Sequence, residues 1–514
     1  MTTLSWDWRW LSVLSFTLGL CILVEISRRL ATRDNLKALP MINRGKWYSL
    51  FSMDAKNRFV TQSTALLAAA RKQYPQQPFR VLSDWGTILV LPSHFADELR
   101  NDSRLSFAIA AKRDNHSHIP GFETVEFVGR EDKLIQRVAR RDLTQHLAKV
   151  IEPLSEETEF ALQVVFGNAM EWHAMKLKPA VLDIIARISS RIYLGDELCR
   201  NEDWLKITKT YTTTFYTAST RLRMIPTPFR RLAHWFMPEC KRLREQMERS
   251  RQIIQPLVER RRALKIQRER SGEPVPRFND ALGWAEDQAR DSNTEFDPVI
   301  AQLTLSLLAI HTTYDLLQQC VLDLAQNPHY TEPLRQEVIK SVRQYGWTKQ
   351  GLYQMQLLDS AIKESQRLKP GSLVTMRRYV TEDIVLSNGL VLKKGTRINV
   401  DTSRMRDPSL HESPDTYDAF RFYRMRMRAG GEHIAQLSST SSDHLGFGHG
   451  EHSCPGRFFA ANEIKVALAQ MLMKYEWKLS GGTTTAPDVK GMLAKSSSVS
   501  SILIRKRNST GDLH

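Results

Sequence analysis

Cys454 is the residue with the most chemistry around it. It lies in Phe447-Gly448-His449-Gly450-Glu451-His452-Ser453-Cys454-Pro455-Gly456, and the helix-like run Arg457-Phe458-Phe459-Ala460-Ala461-Asn462-Glu463-Ile464 follows. The spacing puts the sulfur just ahead of a helix N-terminus, where backbone N–H groups and the positive end of the helix dipole favour thiolate over thiol. The glycines let the backbone pass close to a flat, bulky group. A thiolate held this way can ligate a haem iron and donate the electron density that favours O–O cleavage. Two other readings compete. A lone Cys is commonly an inert buried hydrophobe. His444, His449, His452 and Cys454 are also a dense group of zinc ligands, although the paired C-x-x-C or H-x-x-x-H spacing of structural zinc sites is missing.

Other stretches can position such a site. Asp297-Pro298 starts a long apolar helix that runs to about Gln326, where Asn327-Pro328 ends it. It contains Ser306-Leu307-Leu308-Ala309-Ile310-His311-Thr312-Thr313. Ala309 and Thr313 are four apart and share a face. Taken alone, this is equally an ordinary core helix in which Thr313 bonds its own i−4 carbonyl. Glu364 and Arg367 stand at i and i+3 of a helical stretch and can pair, although surface pairs of that kind are worth only about 0–1 kcal/mol. Arg377-Arg378 follows, then a hairpin, and later Tyr417-Asp418-Ala419-Phe420-Arg421-Phe422.

These motifs, in this order, resemble the cytochrome P450 family. Phe447, Gly450, His452, Cys454 and Gly456 fit all fixed positions of its haem-binding signature. His452 stands where most members carry an Arg that pairs with a haem propionate, and fungal members often have His there. The resemblance implies heme b, with Cys454 as the axial ligand and with Phe447, Gly448, Gly456 and His452 around it. It implies a catalytic Thr313 that relays protons, with Ala309 leaving room for dioxygen. Here the sequence departs from the family pattern: Ile310 replaces Gly and Thr312 replaces the acid. The resemblance makes Glu364, Arg367 and Arg421 a structural triad beneath the haem, and Arg377 a second propionate cation. Arg137 would be a third, although Lys133 occupies the position where the family usually has Trp. Ser306, Ala309, Ile310 and Thr313 are the expected substrate-facing residues.

The 514-residue chain has a hydrophobic fraction of 42% and a charged fraction of 25%, as globular proteins do. Cys21, Cys199, Cys240, Cys320 and Cys454 are scattered and odd in number, which suits a reducing compartment without a disulfide framework. Residues 10–26 are almost wholly apolar or small, with Trp6, Trp8 and Trp10 at one end and Arg28, Arg29 and Arg33 beyond the other. That pattern predicts a single membrane anchor with the remainder cytoplasmic. A cleaved signal peptide is disfavoured because the basic cluster follows the apolar run. With a cytosolic body, the acceptor sequences at Asn101, Asn115 and Asn508 go unused.

The net charge of +17 is concentrated between Arg221 and Arg270, where fifteen Lys and Arg face five Glu. Nucleic acid is the reflex partner for such a balance. The charges instead lie along helical stretches with Glu interspersed, which suits a solvated face near anionic lipid. Within it, Met224-Ile225-Pro226-Thr227-Pro228-Phe229 is an apolar loop that either touches the bilayer or simply joins two helices.

The rest reads as mainly α with small β-sheets near 79–91, 384–400 and 498–505. Phe59 to Tyr74 and His94 to Arg100 read as helices, the second capped by Ser93. A further helix is expected from about Arg130 to Ile151, and Asn388-Gly389 is a hairpin turn. The expected organisation is an anchor over 1–30, a linker over 31–48 and a haem-binding domain over 49–514, in a P450 fold with an N-terminal transmembrane helix. The family further implies an endoplasmic reticulum membrane location, electrons from a separate NADPH-cytochrome P450 reductase with cytochrome b5 as an auxiliary donor, and dioxygen as co-substrate. The substrate would be a hydrophobic small molecule of terpenoid or related secondary-metabolite type. No dinucleotide fingerprint is present, so the electrons must come from another chain. Reductase-free peroxide rearrangement or dehydration on the same fold, and a zinc-binding scaffold without haem, are the alternatives.

Overall fold

A computed structural model describes residues 35–46 and 52–508. The predicted anchor at 10–26, its flanking Trp and Arg residues and both ends of the linker lie outside the described residues. Among those described, no helix is long and apolar enough to cross a membrane.

The molecule is mainly helical, and the long helix Pro298–Gln326 is its axis. Asp297 starts it by accepting from the N–H groups of Val299 and Ile300, with Pro298 in the first turn. A helix that is apolar on nearly every side has to be buried. Val299, Ala301, Leu303, Leu317 and Val321 accordingly have no accessible surface. Its interior side joins the largest hydrophobic cluster, shared with Leu147–Phe166, Leu177–Leu194, Gln356–Leu368 and Arg457–Lys474. A second cluster packs the first half of the long helix against Glu202–Met224 and Pro238–Ser271.

The helix Pro238–Ser271 carries much of the positive charge. It buries Cys240, Leu243, Ile254, Leu257 and Val258 on one side. Its arginines turn outward to acids on neighbouring segments: Arg249 to Asp203, Arg260 to Glu197 and Arg262 to Glu286. It ends at Gly272, which takes the left-handed conformation at φ 68°.

One sheet runs in the order Met41–Ile42, Phe79–Ser83, Gly86–Leu91, Arg397–Asp401, Val374–Val380 and Leu105–Ser106. Phe79–Ser83 and Gly86–Leu91 form the expected hairpin, with Trp85 at its tip. Val374–Val380 and Arg397–Asp401 pair antiparallel with a register shift between Thr375 and Arg378, and Met376 sits at φ 49°. A bulge of this kind re-aims the side chains beside it. A smaller sheet joins Tyr475–Leu479, Ser501–Lys506 and His173–Lys176. Gly389, at φ 81°, turns the short hairpin of Ile384–Val385 and Val391–Leu392.

Three expectations are corrected. The helix predicted from 130 to 151 is broken into Leu134–Arg137, a wide π turn at Val138–Asp142, a short turn and then Leu147–Phe166. Ser93 caps nothing through its side chain, because a 3-10 turn at Ser93–Phe95 precedes the helical residues Ala96–Leu99. The helix expected at Phe59 begins earlier, at Met53.

Candidate active site

The Cys loop is folded by its own backbone. Cys454 N–H donates to Phe447 O at 2.8 Å, Gly448 N–H to Leu445 O at 2.9 Å and Ser453 N–H to Gly450 O at 3.0 Å. Gly448 and Gly450 both need positive φ, 71° and 77°. At Gly450 a Cβ would come within 2.5 Å of the Arg100 carbonyl oxygen, so only glycine lets the loop lie on that segment. The helix Arg457–Lys474 starts three residues after the sulfur.

Protein surrounds the Cys454 thiol almost completely, yet the residue keeps accessible surface, as a residue lining an internal cleft does. Burial raises its pKa, and the Gly456 N–H and the Arg457 charge only partly oppose this. The expectation that the dipole alone favours thiolate is therefore corrected: desolvation outweighs it. A coordinated metal deprotonates such a thiol outright.

The zinc reading fails. Among the described residues, no group of three or more His, Cys, Asp or Glu is placed to hold a metal ion. His444 Nε2 meets Gln366 at 3.0 Å and its ring abuts Phe422. His449 is taken by Asp97 at 2.9 Å and by Thr440 at 3.3 Å.

Cations gather around the loop, and only some of them have an acid to match among the described residues. Arg378 is 4% accessible, forms no ion pair among the described residues, and donates only to the Arg377 carbonyl. Burial, followed by the neighbouring Arg377, lowers its pKa to about 10. His452 is half-buried and makes no hydrogen bond among the described residues; desolvation and then Arg378 push its pKa down. Arg140 donates to the Glu451 carbonyl at 2.6 Å, and Lys133 reaches the Glu451 carboxylate at 3.3 Å.

The structure corrects the two other propionate assignments. Arg377 turns from the loop to Asp114 and the Trp85 ring. Arg137 donates to Ser292 at 3.0 Å. The cation beside His452 on the bulged strand is Arg378, which lies one position past the one expected.

The long helix carries a narrow accessible strip in an otherwise buried stretch. Leu308 is 43% accessible, Thr312 is exposed and Ala309 is half-buried. These positions follow helical spacing. The other faces are committed: Thr304 bonds its own turn and lies against Thr124 O, while His311 meets Lys209 O at 3.1 Å. Such a strip in a packed helix lines a cleft. Thr312 Oγ1 donates back to Leu308 O at 3.1 Å and Ala309 O at 2.9 Å. Of the four residues expected to face substrate, only Ala309 lies on the strip. Ser306, Ile310 and Thr313 are 1%, 0% and 3% accessible and belong to the packed side. Helical phase, read from a family pattern in which two positions had changed, was set one residue too late.

Glu364, Arg367 and Arg421 come together beneath the loop. Arg367 Nε and Nη2 donate to the two Glu364 oxygens at 2.8 Å each, and both side chains are wholly buried. Arg421 Nε lies 3.1 Å and 3.2 Å from the same oxygens. The remaining guanidinium N–H groups go to carbonyls: Arg367 to Met405 and Pro414, Arg421 to Glu412 and Thr416. Sequence reading missed Lys363, which donates to Ile434 O, Gln436 O and Ser439 O and ties down the segment before the Cys loop. It also missed Glu463, which is buried and whose hydrogen-bond partner among the described residues is Ser189 Oγ, at 2.6 Å. Desolvation pushes the Glu463 pKa up to about 8. For Glu463 the available signal was an acid within the largely apolar run Phe458–Met473; Lys363, among Asp359, Glu364 and Arg367, carried none.

The site suits haem on its own terms. The thiol sits at a cleft, a Cβ on Gly456 would meet open space, and Arg378 and His452 stand ready for acidic groups. A protein-family model for cytochrome P450 matches residues 120–502. The chain is 57% identical over 464 residues to cytochrome P450 monooxygenase 2 of Gibberella fujikuroi, covering 90% of this chain and 88% of that protein. It is 41% identical to cytochrome P450 monooxygenase hepE of Aspergillus oryzae, with 91% and 86% covered. Among solved structures, retinoic acid bound cyanobacterial CYP120A1 superposes with a TM-score of 0.64 over 91% of this chain and 99% of that one, at 17% identity. At that identity the likeness speaks for the fold.

Proposed function

Since this chain belongs to the cytochrome P450 family, whose haem it shares, we propose that its cleft orients a terpenoid or related fungal secondary metabolite for oxidation. The enzyme is a monooxygenase. The Cys loop carries this reading: a thiol at a cleft, three residues ahead of a helix, beside Arg378, which has no ion pair among the described residues. The haem, when bound, supplies dioxygen activation and the oxidation of an unactivated C–H bond.

The chain's own residues do the rest. Cys454 holds the iron, and Phe447, Gly448, Gly450 and Gly456 shape the loop around it. Arg378 and His452 bind the propionates. Glu364, Arg367 and Arg421 hold the segment beneath. Leu308 and Ala309 shape the distal wall, and Thr312 takes the role of proton relay at its Oγ1, which donates within the helix and keeps lone pairs free to accept.

Electrons come from an NADPH-cytochrome P450 reductase, with cytochrome b5 as auxiliary donor. The body docks on the endoplasmic reticulum membrane from the cytoplasmic side, anchored at 10–26. Phe229, Leu232, Trp235 and Phe236, between 41% and 81% accessible and interleaved with Arg230 and Arg231, form the surface suited to that contact.

The test is reconstitution with reductase, NADPH and a terpenoid panel. Oxygenated product that depends on both NADPH and reductase is expected. Turnover of a hydroperoxide with neither present would favour the reductase-free reading, to which the lack of an acid on the distal strip gives some support.

A further inference from the structure

Four separate elements converge beside the cleft. They are the hairpin tip at Trp85, the helix Phe107–Asp114, the helix Glu202–Met224 and the bulged strand Val374–Val380. With Arg397, at the start of the neighbouring strand Arg397–Asp401, they bring together three arginines, Arg223, Arg377 and Arg397, whose acid partners among the described residues are Asp84 and Asp114. Arg223 is 3.3 Å from Asp84, and Arg397 is 3.2 Å from Asp114. Each carboxylate thus has a cation closer to it than Arg377, although neither Asp114 oxygen accepts a hydrogen bond among the described residues. Arg377 reaches Asp114 only at 3.8 Å, and its guanidinium donates no hydrogen bond among the described residues.

The surroundings of Arg377 are those of a binding wall. Protein encloses it and Tyr216, yet the Arg377 side chain keeps 19% and Tyr216 36% of their accessible surface. Its guanidinium carbon lies over the Trp85 ring, 4.3 Å from the centroid, and 5.9 Å from the Phe107 centroid. Phe107 is equally 5.9 Å from Arg378, the cation beside His452, so this wall adjoins the Cys454 cleft. A desolvated guanidinium with unused donors is costly unless a partner arrives. The planar fork of Arg matches a carboxylate with two parallel hydrogen bonds.

We propose that Arg377 anchors an anionic substrate: a largely apolar small molecule whose carboxylate docks on this guanidinium while Trp85, Phe107 and Tyr216 cover the adjoining hydrocarbon. This rests on the haem-thiolate reading above and narrows its substrate class.

The experiment uses haem-loaded protein and follows ligand-induced shifts of the Soret band. The probes are dodecanoic, hexadecanoic and abietic acids and their methyl esters. At least one acid binds roughly 10- to 100-fold tighter than its ester, as a charge-assisted pair implies. Arg377→Leu erases that preference without changing ester affinity or pigment content, and Arg377→Lys keeps part of it. Equal binding of acids and esters by the wild type, or no binding of any acid, overturns the proposal even if the variants fail to fold. So does a preference that survives Arg377→Leu. Loss of pigment in Arg377→Leu alone also overturns it, because Arg377 would then serve the haem. Wild-type protein without pigment would instead sink the haem reading itself.

Discussion

The molecule holds two charge clusters, one around Glu364 and one around Asp114, and they are built on opposite rules. Beneath the Cys loop, one carboxylate faces two guanidinium groups, yet every guanidinium nitrogen is engaged: Glu364 takes Arg367 and Arg421, and backbone carbonyls take the nitrogens that are left. At the hairpin tip, three guanidinium groups face two carboxylates, and neither Asp114 oxygen nor the Arg377 guanidinium has a hydrogen bond. A saturated cluster fixes one geometry. An unsaturated one retains an electrostatic demand for a ligand to meet. The first cluster is therefore read as scaffold and the second as recognition.

The largest effect should come from breaking the saturated cluster. Glu364→Ala strands two buried cations, at a cost of about 3–5 kcal/mol. That is a large share of an ordinary stability margin of about 5–15 kcal/mol. The variant is expected to lose both fold and pigment in thermal melts and pigment assays. A soluble, fully pigmented Glu364→Ala protein would contradict the scaffold role.

Arg378 and Arg377 sharpen the comparison next. Arg378→Leu lowers haem retention during gel filtration, whereas Arg377→Leu retains pigment. The reverse result would return the propionate role to Arg377.

The distal helix gives a third contrast. Thr312→Ala is expected to reduce product formed per NADPH on the order of 100-fold, the scale of a lost proton relay. Thr313→Ala stays near the wild-type value, because that side chain belongs to the packed side.

The Cys loop, the Glu-Arg pairing and the long helix were legible because each rests on a local rule: glycine at positive φ, helical spacing, and Asp and Pro at a helix start. Two things were not. The phase of the distal helix depends on how it rolls against Glu202–Met224 and the large core, which no local window contains. The choice between Arg377 and Arg378 depends on the bulge at Met376, where a non-glycine residue is held at φ 49° by the sheet around it. Adjacent arginines read alike in sequence, and tertiary pairing decides which one faces which cluster.

The last contrast, small over any one pH unit, concerns Glu463, a buried acid that has no ion pair among the described residues. Its folded pKa of about 8 lies above the ordinary carboxyl value of 4.5, so the folded state keeps a proton that the unfolded chain releases. Its contribution to stability therefore falls as pH rises through that interval, by at most about 1.4 kcal/mol per unit. Glu463→Gln should gain melting temperature over the wild type as pH goes from 5 to 8. A difference that does not vary with pH would contradict this.

The central claim is a sulfur–iron bond at position 454, and the carbon monoxide difference spectrum of the reduced protein tests it most directly. The account predicts a Soret band shifted strongly to the red in the wild type and absent in Cys454→Ala. A colourless wild type, or the same red-shifted band in Cys454→Ala, would contradict it.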